Sequence, residues 1–69
     1  MRIAVIDGQG GGIGRYIIEQ LRKGITVEIE ILALGTNAAA AASMLKAGAN
    51  DGASGENAII YNSQRVDRI

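Results

Sequence analysis

Residues 2–14, RIAVIDGQGGGIG, set an unbroken apolar run against a cluster of glycines. Five of the eight residues from Asp7 to Gly14 are glycine. Glycine inside a regular element costs about 0.5–1 kcal/mol relative to alanine. Such a cluster therefore marks backbone that turns sharply or lies close to another group. The run before it, RIAVID, has the short continuous apolar character of a strand buried on both faces. Beyond it, Ile13, Ile17 and Leu21 fall at i, i+4 and i+8, with Ile18 beside them, and form one stripe of a helix. Arg15, Glu19, Gln20, Arg22 and Lys23 take the opposite side, and Gly24 reads as the helix stop. The stretch reads as strand, glycine turn and helix.

Working outward, Val27 to Leu34 forms the second strand. Glu28 and Glu30 alternate with Ile29 and Ile31 at its solvent-facing entrance, and the rest is wholly apolar. In Gly35-Thr36-Asn37, Thr36 or Asn37 is placed to cap a second helix, Ala38 to Ala47, which Gly48 ends. Its five alanines are good helix formers whose small side chains let the helix lie close to a sheet. GANDGASGEN, residues 48–57, is a loop by composition. Ala58 to Asn62 reads as a third strand, Ser63 to Arg65 as a turn, and Val66 to Ile69 as the start of a fourth strand.

Strand, helix, strand, helix, strand predicts an α/β fold: a Rossmann-like parallel sheet of three strands, with a fourth begun, and two crossover helices. Both helices are expected on one face, which leaves the other bare and breaks the coverage rule for parallel sheets. The reading is of residues 1–69 as the N-terminal part of a single Rossmann-like nucleotide-binding domain, truncated just inside a strand. The other explanation of the open face is a partner subunit, which makes the chain a homo-oligomer.

The composition narrows the function. The chain has 69 residues, 48% of them apolar and only 3% aromatic, so Ile, Val, Leu and Ala build the core. Cysteine and histidine are both absent, which removes disulfides, thiolate metal sites, the commonest zinc ligand and the commonest general base. Seven basic and seven acidic residues balance to zero net charge, against a nucleic-acid partner or an anionic membrane surface. No segment reads as a secretory signal or a membrane span, and a cytoplasmic protein is expected.

The turn itself points to a phosphate. A helix N-terminus carries N–H groups without intrahelical partners and partial positive charge, and glycines keep side chains out of an anion's way. Glycines at i, i+2 and i+5 fail here, because Ile13 stands at the third position counted from Gly8. The magnesium-nucleotide loop fails too, since Arg15 and Tyr16 stand where Lys and Ser/Thr are needed. Gly8, Gly12 and Gly14 do fit the Gly-x-x-x-Gly-x-Gly turn, and this resembles the turn of short-chain dehydrogenases. The candidate ligand-binding residues are Asp7, Gly8, Gln9, Gly10, Gly11, Gly12, Ile13 and Gly14, joined at the other strand ends by Gly35, Thr36, Asn37 and Asn62. The expected ligand is a nucleotide or dinucleotide, with NAD or NADP as the cofactor. Asp7 either turns away to accept loop N–H groups or shares a cation with the ligand. No acid stands at the end of the second strand to hold ribose hydroxyls, and no catalytic residue is identified. A non-enzymatic sensing or assembly module is the rival reading, and a structural turn without a ligand is the third.

Together, IAVIDGQGGGIG, ALGTNA and MLKAGANDGASGENAII resemble the opening of an uncharacterised bacterial family, domain of unknown function 3842. The resemblance covers nearly the whole chain. It implies a small cytoplasmic Rossmann-like protein with no assigned activity, whose members continue beyond this length.

Overall fold

The computed structural model describes residues 1–25 and 28–69. Among them strands and helices alternate: β1 (Arg2–Asp7), α1 (Gly12–Gly24), β2 (Glu30–Gly35), α2 (Ala38–Lys46), β3 (Asp51–Ser54) and α3 (Glu56–Ser63). The sheet is parallel, in the order β1-β2-β3. Its register runs from Arg2 opposite Glu30 to Asp7 opposite Gly35, and from Leu32 opposite Asp51 to Gly35 opposite Ser54. This is an α/β fold compatible with a Rossmann-like arrangement. The expected beginning of the second strand at Val27 lies outside the described residues.

Strand alternation splits the core in two. On one face Val5, Ile31 and Ala33 pack with Ile18 of α1 and Met44 of α2, and Ile3, Leu21 and Ile25 fill in around them. On the other face Ala4, Leu32 and Leu34 meet Ala53, Ile59 of α3 and Val66. The face expected to be bare is thus partly covered by α3. β2 lies between the two cores, and Ile31, Ala33 and Leu34 have no exposed surface. That fits its near-continuous apolar sequence.

The third strand and third helix are where the sequence reading fails. β3 lies inside the expected loop, and Ala58 to Asn62, the expected strand, is the body of α3. A short apolar run such as AIIY does not distinguish strand from helix by periodicity alone. Here Glu56 in the first turn suits a helix N-terminus. Two side chains bond back one turn, Asn62 Nδ2 to the Ala58 carbonyl (2.8 Å) and Ser63 Oγ to the Ile59 carbonyl (2.6 Å). Gly52 of β3 lies under α2, and Ala53 faces the other core with Ile59. A Cβ built on Gly52 meets Leu45 Cγ and Cδ1 at 3.1 Å.

The α1 stripe is also rotated from expectation. Ile18 and Gly14 are buried and Leu21 is half-buried, whereas Ile13 is 76% exposed. Ile17 likewise faces outward, so the inward stripe is Gly14, Ile18, Leu21 and Ile25.

The start of a fourth strand is present, and its place matters. Arg68 bridges Ile3 in the parallel sense, with Ala4 N–H donating to the Arg68 carbonyl (2.8 Å) and Asp67 N–H to the Arg2 carbonyl (2.8 Å). Met1 and Asp7, in contrast, give their carbonyls to Glu30 and Thr36 on the β2 side. Backbone groups of a strand point alternately to its two edges. The last segment therefore lies on the β1 edge that faces away from β2. Helices α1 and α2 step outward from β1 on one face, and α3 carries the chain back across the other. The winding reverses at β1.

Candidate functional site

β1 ends in Asp7, which is 8% exposed and, among the described residues, the one charged residue in the core. Its carboxylate turns inward beneath the glycine turn. Oδ1 accepts the N–H of Gln9 (2.8 Å) and Oδ2 accepts the N–H of Gly14 (2.9 Å). The N–H of Gln9 and then that of Gly14 hold its pKa below the ordinary carboxylate value; burial opposes them, and the Gly11 N–H adds to the lowering. Of the two roles open to Asp7, the geometry takes the first, a local anchor around which the backbone bends.

The five glycines of the turn divide by what a side chain would meet. Gly11, the residue before α1, has φ +86°, and a Cβ there falls 2.8 Å from the Ala40 carbonyl oxygen and 2.9 Å from Ala40 Cα. On Gly14 a Cβ meets Met44 Sδ, Met44 Cγ (3.1 Å) and Asp7 Cβ (3.2 Å). These two glycines let α2 lie against the turn. Gly8, Gly10 and Gly12 are different. None has positive φ, and a Cβ on any of them has nothing within 4 Å. The fold itself gives no reason for glycine at these three positions.

The space they leave open belongs to a cavity of about 430 Å³, lined by Ile6, Asp7 to Gly10, Gly12, Ile13, Gly14 and Ile17. It contains seven of the residues expected at the site, Asp7, Gly8, Gln9, Gly10, Gly12, Ile13 and Gly14. Gly11 packs behind them instead. The N-cap residue of α1, Gly11, has no side chain to cap it, the first turn carries no acidic residue, and Asp7 holds only the Gly14 N–H of that turn. Among the described residues, the N–H groups of Gly10, Gly12 and Ile13 meet no acceptor within the protein. The cavity therefore combines main-chain donors, the positive end of a helix and a wall of isoleucine.

The remaining expected residues are placed less uniformly. Gly35 is buried, and a Cβ on it falls 2.7 Å from Ala41 N and 2.8 Å from the Asn37 carbonyl oxygen, so it serves the packing of α2. Thr36 is exposed and donates its N–H to the Asp7 carbonyl (3.2 Å). Asn37 caps α2 by accepting the Ala40 N–H (2.9 Å), and its Nδ2 reaches the Gln9 carbonyl (3.1 Å), tying the two turns together. Asn62 lies near the end of α3, where its side chain bonds within the helix, and is not at a strand end. The third strand end carries Ser54 instead. Ile6 and Ile17 line the cavity and were missed. The signal for Ile17 was Gly14 itself: a first-turn glycine four residues before Ile18 marks the close face of the helix and leaves Ile17 outside.

Among the described residues there is no group of three or more Asp and Glu placed to hold a metal ion, and no helix long and apolar enough to cross a membrane. No curated protein and no solved structure matches the chain. A family model does match, over residues 2–69, and its description is Domain of unknown function (DUF3842). The glycine turn, the Asn37-capped second helix and the segment on the far edge of β1 all lie within that match, and the chain belongs to the DUF3842 family.

Proposed function

We propose that the chain binds the phosphates of a nucleotide or dinucleotide, of the NAD or NADP type, on the backbone from Gly8 to Gly14. The observation that carries this reading is the sorting of the glycines. Gly8, Gly10 and Gly12 serve neither backbone conformation nor packing, and they border the cavity onto which α1 opens. Glycine that the fold does not need, beside unpaired main-chain donors, suits a ligand approaching the backbone closely. The topology agrees. In open α/β sheets ligands bind beyond the carboxyl ends of the strands, where the winding reverses, and here that place is the end of β1.

Among the described residues lining the cavity Asp7 is the one ionisable group, and both its carboxylate oxygens are held by main-chain N–H groups. That commitment favours a second reading of the same site, a ligand sensor without turnover. Binding is tested by NMR titration of the chain with NAD, NADP and ATP. The expected result is amide shifts concentrated at Gly8 to Gly14 and near Thr36. Gly12→Val is expected to abolish those shifts while the rest of the spectrum keeps its dispersion. Undiminished affinity in that variant overturns the site. Oxidation or reduction of a bound nicotinamide with an added substrate distinguishes an enzyme from a sensor.

A further inference from the structure

We infer that Asn37 is a positioning residue for the glycine turn: through the Gln9 carbonyl it fixes the peptide that aims the Gly10 N–H at the cavity. Its effect on a ligand rests on the phosphate reading above, and its effect on the turn does not. The two halves of the turn are held differently. Gly11 and Gly14 lie against Ala40 and Met44 of α2. Gly8 and Gly10 have nothing within 4 Å of a Cβ, so no packing restrains the Gly8-Gln9-Gly10 segment. Glycine on both sides of Gln9 leaves that backbone free to turn. Among the described residues, its order comes from two hydrogen bonds to the main chain of Gln9. Asp7 Oδ1 accepts the N–H (2.8 Å), and Asn37 Nδ2 donates to the carbonyl (3.1 Å).

The bond from Asn37 sets a direction. No peptide among the described residues is cis, and in a planar trans peptide the C=O and the following N–H point opposite ways. With the Gln9 carbonyl drawn toward Asn37, the Gly10 N–H points away from it. Gly10 lines the cavity and Asn37 does not, so the donor faces the open side. Asn37 is exposed, and an exposed side chain loses entropy when it is ordered to make one hydrogen bond. Here the cap of α2 orders it first. Oδ1 accepts the Ala40 N–H (2.9 Å), which fixes the amide plane. Only one assignment of the amide oxygen and nitrogen satisfies both the Ala40 N–H and the Gln9 carbonyl. One side chain thus couples the start of α2 to the aim of a donor in the neighbouring turn.

The test separates the cap from the tie on the intact 69-residue chain. Serine and aspartate cap a helix about as well as asparagine. Asn37→Ser is neutral and one bond too short to reach the Gln9 carbonyl. Asn37→Asp has the reach but no donor. In both variants the urea midpoint and the slow exchange of the Ala40 amide are expected to stay as in the parent. The Gln9 carbonyl ¹³C resonance is expected to move to higher field, and the Gly10 amide to shift with a lowered ¹⁵N heteronuclear NOE. Gln9 and Gly10 signals that stay unchanged overturn the inference, and faster exchange at Ala40 beside them reduces Asn37 to a cap. Asn37→Ser is also expected to weaken NADH by about two- to tenfold, the equivalent of one neutral hydrogen bond. Parent-like NADH affinity with a displaced Gly10 amide overturns the positioning role. If NADH moves none of the Gly8 to Gly14 amides in the parent, the phosphate reading fails, and the Gln9 and Gly10 signals still decide whether Asn37 aims the turn.

Discussion

Two turns leave neighbouring strands of the sheet, Asp7 to Gly12 after β1 and Gly35 to Asn37 after β2, and each delivers the chain to a helix N-terminus. They finish that terminus in opposite ways. After β2 the connection is short, and Asn37 caps the helix with its own side chain. After β1 the connection is longer, Gly11 precedes the helix with no capping side chain of its own, and Asp7 reaches up from the strand to hold the Gly14 N–H alone of the first-turn donors. The polar residue there, Asp7, spends its oxygens on Gln9 and Gly14 and thereby shapes the turn. One turn satisfies its helix from within, and the other leaves donors facing a cavity. Capping is worth about 1 kcal/mol, so a terminus left open in so small a domain gives up stability that the neighbouring turn keeps.

The largest effects are expected where glycine is a packing requirement. Gly11→Ala places a side chain on left-handed backbone and drives it into the Ala40 main chain. The conformational cost is about 1–2 kcal/mol and overpacking adds about 1–3 kcal/mol. Urea denaturation is expected to show a loss of about 3 kcal/mol or more. A tolerated Gly11→Ala breaks the contrast at its base, because the turn is then not pinned against α2.

Next comes Asp7. Asp7→Asn replaces an acceptor of two N–H bonds by a group that donates on one side. Hydrogen bonds to charged groups contribute about 1.5–3 kcal/mol, and a loss in that range is expected. The pH dependence identifies the cause. The folded pKa lies below the unfolded one, so the stabilisation is complete above the unfolded value of about 3.9. It is lost as pH falls through the lower folded value. Thermal melts from pH 7 downward are expected to show parent and variant converging below about pH 4. A gap that stays constant through that range indicates a packing defect rather than a lost carboxylate.

Asn37→Ala sharpens the comparison from the other side. It removes the α2 cap and the tie to the Gln9 carbonyl, for an expected loss of about 1–2 kcal/mol. Amide hydrogen exchange is expected to accelerate at Ala40 first.

How much of this was legible follows the same contrast. β1, the glycine turn, α1 and the cap of α2 were readable because local chemistry and tertiary role coincide: an apolar run in β1, glycines at a bend, an asparagine before an alanine helix. What was not readable is what only a neighbour decides. DGAS in β3 has no strand character of its own; it is extended because β2 offers it a ladder, and α2 leaves no room for a side chain at Gly52. AIIY has no single stripe, and it is helical because one residue, Ile59, meets the sheet face. The rotation of α1 was hidden likewise. Ile13, Ile17 and Leu21 make a plausible buried stripe until Gly14 is seen to touch Met44 and Asp7. Within the site, the cluster of glycines could be seen in the sequence, but their division into packing glycines and open ones could not.

That division gives the smallest expected effect on stability and the most discriminating one. Gly12 is the first residue of α1, with negative φ and no atom near its missing Cβ. Alanine is the better helix former by about 1 kcal/mol in a helix interior, and it restricts the unfolded chain by about 0.4–1 kcal/mol where the native conformation accepts it. Gly12→Ala is therefore expected to leave stability unchanged or raise it by less than about 1 kcal/mol. A plain structural turn would gain from that substitution at no cost. A phosphate seat would lose, because the added methyl group stands where the anion meets the Gly12 and Ile13 N–H groups. Urea melts and an NADH titration on the same variant separate the two. Equal or higher stability with weakened binding keeps the open turn as a ligand site, whereas equal or higher stability with unchanged binding makes Gly12 incidental and reduces the two turns to variants of one structural connection.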